Sequence, residues 1–85
     1  MTKDQAEFMT DLIAVMSTVM VETCRSIARQ SGGDISRHAV ALDIEKSATK
    51  VPAGLPNVKL ARDILLSIAA QLDDKPFTPV RVDAV

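Results

Sequence analysis

The chain has almost no aromatic side chains. It contains no Trp and no Tyr, and its only aromatic residues are Phe8 and Phe77. Sites that bind nucleic-acid bases use aromatic rings as stacking platforms, and protein interfaces use Trp and Tyr as energetic anchors. The composition therefore argues against a base-stacking site, and aliphatic residues and Met must supply most of any buried surface.

The residue types that carry catalysis and metal binding are also scarce. Cys24 is the only cysteine and His38 the only histidine. The spacings typical of zinc sites and phosphate loops do not occur. Cys24 lies on the apolar side of a predicted helix, where the reactive thiolate is disfavoured. We therefore expect no catalytic residue, no metal site and no cofactor, and we do not expect an enzyme.

A single cysteine also bears on the compartment. Cys24 cannot form an intrachain disulfide, which fits a reducing compartment, although it could pair with its own copy across a two-fold axis. An inert buried thiol is the simpler interpretation. Asp4 and Glu7 stand where an export signal would have basic and then apolar residues. The weakly polar segment 12–21 is about half the ~20 residues that span a bilayer. We expect a cytoplasmic protein without a membrane segment.

Neither sign of charge is in clear excess. Ten Lys and Arg residues stand against eleven Asp and Glu residues, which gives a net charge of −1. No global field therefore draws the protein to nucleic acid or to an anionic membrane. We expect neither as a partner.

Gly and Pro are few, and most of them lie between segments with helical periodicity. This pattern predicts one all-α domain over residues 1–75 and an extended C-terminal tail over residues 76–85. The domain should contain three helices, one long and two shorter, over residues 4–30, 37–49 and 58–74.

Turn and capping residues mark the ends of these helices. Gly32 and Gly33 accept the left-handed backbone that stops the first helix. Asp34 or Ser36 then caps the second helix, and Asn57 caps the third.

The two shorter helices each have one apolar stripe. The residues of these stripes are Val40, Ala41, Ile44 and Ala48 in the second helix, and Leu60, Ala61, Ile64, Leu65, Ile68, Ala69 and Leu72 in the third. One stripe on each helix predicts burial on one side only. We expect the third helix to be the main cover of the first.

The long helix has two apolar seams. The shorter seam consists of Phe8, Leu12, Val15 and Val19, and the longer one of Met9, Ile13, Met16, Met20, Thr23 and Ile27. Spacings that alternate between four and three residues, as in the longer seam, are typical of helices packed lengthwise on one another. At about 1.5 Å per residue the helix spans roughly 40 Å, whereas a compact domain of this length has a radius of gyration of about 12 Å.

The long helix should therefore extend beyond its own domain. We expect the chain's own helices to cover the shorter seam, and the same helix of a second copy to cover the longer seam in a homodimer. In the alternative, one chain folds its shorter helices over both seams and remains a monomer.

A basic cluster forms a second candidate site. Arg25 and Arg29 near the end of the first helix should lie close to Arg37 and His38 at the start of the second. Free backbone amides at a helix start also favour an anion, so these residues are candidates for contact with an anion or nucleic acid.

The same region resembles a DNA-binding helix-turn-helix. Ala28 and Gly32 are spaced like the alanine and the turn glycine of that motif. Gly33 and Asp34 lengthen the turn by two residues, however, and the first helix is longer than the motif requires.

Taken as a sequence, the chain is best interpreted as a non-catalytic oligomeric module for protein interaction or an adaptor. It should form a homodimer and bind a protein partner whose identity and pathway no motif reveals. The alternative is a small helix-turn-helix-like regulator that binds DNA. A third interpretation is an apolar small ligand bound between Met-lined helices.

Overall fold

The fold consists of three α-helices. The computed structural model describes residues 1–33, 35–54, 57–77 and 79–83. These residues form α1 (Lys3–Gln30), α2 (Arg37–Thr49) and α3 (Val58–Leu72), and no strand occurs among them. The prediction of an all-α fold with one long and two shorter helices is confirmed. Asp34, the alternative cap of α2, and Val85 at the end of the tail lie outside the described residues.

Local side-chain chemistry explains where α1 begins and ends. The Thr2 hydroxyl accepts a hydrogen bond from the Gln5 backbone N–H at 3.1 Å, and the Gln5 side chain accepts one from the Thr2 N–H at 2.9 Å. This reciprocal capping box satisfies two amides that the first helical turn would leave unpaired. After Ser31, Gly32 and Gly33 have φ angles of 66° and 99°. Side chains with a Cβ rarely adopt this backbone, so α1 ends here.

The two shorter helices begin in different ways. At the start of α2, the Ser36 hydroxyl accepts from the Ala39 N–H at 3.4 Å, as expected for a cap. Asn57 precedes α3 as expected, but its side chain makes no capping hydrogen bond. It has φ 57° and ψ 43° instead, a left-handed conformation that Asn tolerates better than most residues. Asn57 therefore acts through its backbone, by turning the chain into α3.

The core lies where α2, α3 and the C-terminal half of α1 meet. Its buried residues are Val21 of α1, Ala41 of α2, and Ile68, Ala69 and Leu72 of α3. Cys24, Val40, Ile44 and Ile64 pack against them. The apolar stripe predicted for α2 is confirmed, because Val40, Ala41 and Ile44 belong to this core and Ala48 is buried. The α3 stripe is confirmed in its C-terminal part, whereas Leu60, Ala61 and Leu65 are half-buried outside the core. The buried Ala41 and Ala48 of α2 are small, which lets this helix lie close against its neighbour.

On α1, the residues that face the core are mostly small. The buried residues are Ala6, Ile13, Ser17 and Val21. The expectation that the chain covers its own shorter seam is wrong, because Phe8 is 66%, Val15 61% and Val19 59% exposed. Ile13, assigned to the longer seam, is buried in its own chain at 9% exposure. We call the side of α1 that carries these four buried residues the small-residue face, and its Val21 packs with Ile68, Ala69 and Leu72 of α3.

The tail continues the chain beyond α3 without helix or strand in its described residues. It reaches α1 at Thr10, whose hydroxyl accepts from the Val82 N–H at 2.8 Å and donates to the Ala6 carbonyl at 2.9 Å. Val80 and Val82 are half-buried, and Phe77, Pro79 and Val80 line a groove beside Ile13 and Ser17. The tail therefore adds cover to the small-residue face of α1.

The long helix determines the shape of the protein. The extents along the principal axes are 46, 25 and 19 Å, and the radius of gyration is 14.1 Å. A helix of 28 residues is about 42 Å long, so α1 alone nearly accounts for the longest extent. In the described part of the chain, no helix combines the length and the apolarity that crossing a bilayer requires.

Leu72 tests the position of the core. It is 0% exposed, so Leu72→Ala should lower the free energy of unfolding by about 2–5 kcal/mol, a large share of the roughly 5–15 kcal/mol typical of a small domain. Leu66→Ala is the matched control on the same helix. Leu66 is 45% exposed, and its truncation should cost less than about 1 kcal/mol. Urea unfolding measures both, and equal losses would contradict this core.

Candidate interaction surface

The most prominent surface feature is an apolar face on α1. It comprises eight large apolar side chains that are between 36% and 66% exposed: Phe8, Met9, Leu12, Val15, Met16, Val19, Met20 and Ile27. At about 100° per residue, these side chains span roughly 140° of the helix, and the centre of this span lies about 130° from the centre of the small-residue face. From Phe8 to Ile27 the face is about 30 Å long. We call it the apolar face.

This face is large enough for a specific protein interface. Such interfaces bury about 800 Å² on each partner, which requires on the order of 100 Å² from each of eight side chains. Large apolar side chains that are on average about half exposed supply roughly that area. Soluble monomers rarely leave a contiguous apolar patch larger than about 300–600 Å² exposed.

The apolar face has two chemically different edges. Around the helix at about 100° per residue, a charged edge precedes a central row, and a methionine edge follows it. The charged edge consists of Asp4, Asp11, Glu22 and Arg29, the central row of Phe8, Leu12, Val15 and Val19, and the methionine edge of Met9, Met16, Met20 and Ile27.

Most of the residues predicted for the dimer interface lie on this exposed surface. Met9, Met16, Met20 and Ile27 form its methionine edge, and Thr23 is exposed between that edge and the central row. Ile13 lies outside the surface, because it is buried against its own chain. The central row was expected to be internal, yet it forms the middle of the exposed face.

The surface of the apolar face is not flat. Near its C-terminal end a shallow depression is lined by Thr18, Val19, Glu22, Thr23, Ser26 and Ile27. The short side chains of Thr23 and Ser26 create this depression where the central row would otherwise continue. At the opposite end, Phe8 is the largest side chain of the face and is 66% exposed. The face thus combines a large side chain at one end with a depression at the other.

The second candidate site is a polar cluster where α1, α2 and the end of α3 meet. Arg25 and Arg37 both pair with the Asp74 carboxylate, at 3.2 and 2.8 Å. Arg25 also pairs with Glu22 at 3.0 Å and donates to the Gln71 carbonyl at 2.8 Å. Each of the two guanidinium groups therefore has a carboxylate partner within the chain. Exposed ion pairs contribute only about 0–1 kcal/mol each, so their main effect is to orient these side chains.

Asp74 occupies an unusual backbone position. Its φ is 54°, and the Lys75 N–H just after it donates to the Ala70 carbonyl at 2.9 Å, which closes the end of α3. Gly is usual at this left-handed position. Asp accepts it at a modest cost, and here the two Arg partners hold its carboxylate in place.

Asp73 has its own basic partners. The His38 Nδ1 lies 2.8 Å and the Lys75 Nζ 3.2 Å from the Asp73 carboxylate oxygens. The hydrogen bond with His38 is the main cause that holds the pKa of this carboxyl below its usual value of 3.8, and Lys75 acts in the same direction. Desolvation opposes both but does not reverse the shift.

The structure thus brings the predicted basic residues together, and carboxylates of the same chain pair with most of them. Arg25, Arg29 and Arg37 line one shallow depression together with Ala28 and Ile35. Within the described residues, Arg29 is the only one of these three without an ion pair. Asp73 and Asp74 were not predicted as partners, although an acidic pair at a helix C-terminus opposes the helix dipole. This unfavourable placement was the feature of the sequence that could have predicted cations near Asp73 and Asp74.

The reactive side chains have separate surroundings. Cys24 packs against the core, whereas His38 is exposed and bonded to Asp73. In the described ranges, no group of three or more His, Cys, Asp or Glu side chains is arranged to hold a metal ion.

The lowered pKa of Asp73 leads to a prediction about pH. A carboxyl whose pKa is lower in the folded than in the unfolded state stabilises the fold above the unfolded value, and this stabilisation is lost as the pH falls through the folded value. Asp73→Asn should therefore be less stable than the unmodified protein at pH 7, and the difference should shrink below about pH 4. Urea unfolding across this range measures it.

Asp43→Asn is the matched control. Within the described residues the Asp43 carboxylate has no ion-pair partner, so this substitution should change stability little at any of these pH values. A pH-independent effect of Asp73→Asn would contradict the role assigned to its charge.

Comparisons of the chain with family models, with curated proteins and with solved structures gave no match.

Proposed function

We propose that the protein is a non-catalytic interaction or adaptor module that acts as a homodimer through the apolar face of α1. The observation that carries this proposal is the position of the face. Eight large apolar side chains of α1 are exposed and face away from the protein's own core. The predicted interface residues Met9, Met16, Met20, Thr23 and Ile27 are retained. The proposed interface leaves out Ile13 and includes the central row of Phe8, Leu12, Val15 and Val19.

The chemistry of the face favours a protein partner over a lipid surface. Helices that lie on membranes place Lys and Arg beside their apolar face, because these residues attract anionic lipids. Here the charged edge carries Asp4, Asp11 and Glu22 against a single Arg29. An apolar face bordered by mainly acidic residues is poorly suited to an anionic membrane. A second copy offers a surface of matching length.

The DNA-binding alternative has less support. Phosphate binding requires unpaired cations, whereas Arg25 and Arg37 share the Asp74 carboxylate and His38 bonds to Asp73. The resemblance to a helix-turn-helix places its second helix at α2. α1 ends at Gln30 and α2 begins at Arg37, so the sequence between them is two residues longer than in that motif.

The small-ligand alternative also depends on assembly. The methionine edge lies on the open surface of α1, and Met16 and Met20 are 56% and 48% exposed. A cavity enclosed by these side chains therefore requires a second chain. Ligand binding would follow dimer formation rather than replace it.

A pair of substitutions tests the dimer. Val15 lies in the central row and is 61% exposed, whereas Ala39 is exposed on α2, away from the apolar face. Val15→Glu should dissociate the dimer, because it would bury a charge without a partner in the interface. Ala39→Glu adds the same charge outside the interface and should leave the dimer intact. Analytical ultracentrifugation at micromolar concentration should give twice the 9.1 kDa chain mass for the unmodified protein and Ala39→Glu, and the chain mass for Val15→Glu.

Circular dichroism provides the folding control. Val15 is exposed within the single chain, so Val15→Glu should keep its helix content while it loses its partner. A mass of 9.1 kDa for the unmodified protein at every concentration would refute the homodimer.

Binding to duplex DNA should stay at the non-specific level at physiological salt. The reason is that two of the three clustered Arg side chains have carboxylate partners and the net charge is −1. A mobility-shift titration with random and genomic fragments measures this. Sub-micromolar, sequence-selective binding at ~150 mM salt that Arg37→Ala abolishes would favour the regulator instead.

A further inference from the structure

We infer that the two α1 helices of the dimer lie antiparallel, and that Phe8 of each subunit occupies the depression formed by Val19, Thr23 and Ser26 of the partner subunit. This inference rests on the proposed homodimer and specifies its geometry. It follows from the two different edges of the apolar face, from the spacing of its side chains and from the distribution of charge along α1.

The edges distinguish the two orientations. In a parallel pair the two-fold axis runs along the helices, so the charged edge of each helix faces the methionine edge of its partner. Asp4, Asp11 and Glu22 would then lie against Met and Ile side chains, which disfavours them. In an antiparallel pair the axis is perpendicular to both helices, and like edges meet. Charged residues then face charged residues, and Met faces Met.

The spacing of the central row sets the register. With antiparallel helices centred near Val15 and Met16, Leu12 lies opposite Val19 of the partner subunit, and Phe8 lies opposite Thr23. Each large side chain of the row therefore meets an apolar or small one. Val19, Glu22, Thr23 and Ser26 are spaced at i, i+3, i+4 and i+7, the arrangement that forms a hole for one side chain of a facing helix. Phe8 is the side chain that this register brings to the hole.

Shape complementarity supports the same placement. The depression is lined by Val19, Thr23, Ser26 and their neighbours, and the short polar side chains leave room at its centre. Phe8 is the largest side chain on the face and is 66% exposed in the single chain. A large side chain seated in such a hole fills space that would otherwise stay empty at the interface.

Charge along the helix favours the same orientation. The acids Asp4, Glu7 and Asp11 lie in the N-terminal half of α1, and Arg25 and Arg29 lie near its C-terminus. In a parallel pair the two charged edges lie on opposite sides of the interface and form no ion pair with each other, whereas an antiparallel pair brings Asp4 near Arg29 of the partner subunit. Asp11 and the partner's Glu22 also approach each other. That repulsion is reduced because Glu22 is paired with Arg25 of its own chain at 3.0 Å.

Disulfide trapping tests the orientation. In a Cys24→Ala background, Phe8→Cys and Thr23→Cys are made as separate variants and oxidised alone or as a mixture. In the antiparallel pair, each introduced cysteine is about 22 Å from its own copy, which is beyond the ~7 Å Cα separation that a disulfide can bridge. Only the mixture should therefore form a disulfide-linked dimer, visible on non-reducing gels. Leu12→Cys with Val19→Cys is a second pair that leaves Phe8 intact.

The outcomes separate this inference from the proposed function. Linked dimers that form efficiently from each variant alone would show a parallel pair and overturn the orientation, while the homodimer would stand. Monomers in ultracentrifugation, with no disulfide in any mixture, would overturn both and assign the face to a different protein. Each variant is first checked by ultracentrifugation, and the second pair decides if Phe8→Cys itself weakens assembly.

Discussion

The structure depends on a mismatch between the long helix and the elements that cover it. α1 has 28 residues, whereas α2 and α3 have 13 and 15. Two short helices that pack mainly on each other can cover only one side of such a helix, even with the tail docked at Thr10. The other side keeps its large apolar residues in water, which is unfavourable. The proposed dimer is the arrangement that removes this cost with residues already present in the chain.

The sequence predicted the helices well because their signals are local. Gly32 and Gly33 ended α1, Ser36 capped α2, and single apolar stripes oriented α2 and α3. The side of α1 that faces the core was mispredicted for a physical reason. α1 is apolar around most of its circumference, so periodicity could not decide between its stripes. In the structure, Ile68 and Leu72 of α3 pack with Val21, and the buried side of α1 carries Ala6 and Ser17 rather than the largest side chains.

The polar cluster contains ion pairs that the sequence did not predict. The sequence placed Arg25, Arg37 and His38 near one another, and the structure does bring them together, but no sequence pattern identified Asp73 and Asp74 as their partners. Their positions depend on how the end of α3 meets α1 and α2, which local patterns do not specify. The ion pairs join all three helices at this point. They also engage Arg25 and Arg37, two of the cations that an external phosphate would need.

The two surfaces together suggest a division of roles along α1. The C-terminal half contributes Val21 and Cys24 to the core and Arg25 to the cluster that ties the helices together. The tail covers the N-terminal half of α1 on the side of the small-residue face. On the other side of this half, Phe8, Leu12 and Val15 are exposed. An antiparallel dimer would place the N-terminal half of each α1 beside the C-terminal half of its partner. The less supported part of each long helix would then lie against the part that its partner's own core holds in place.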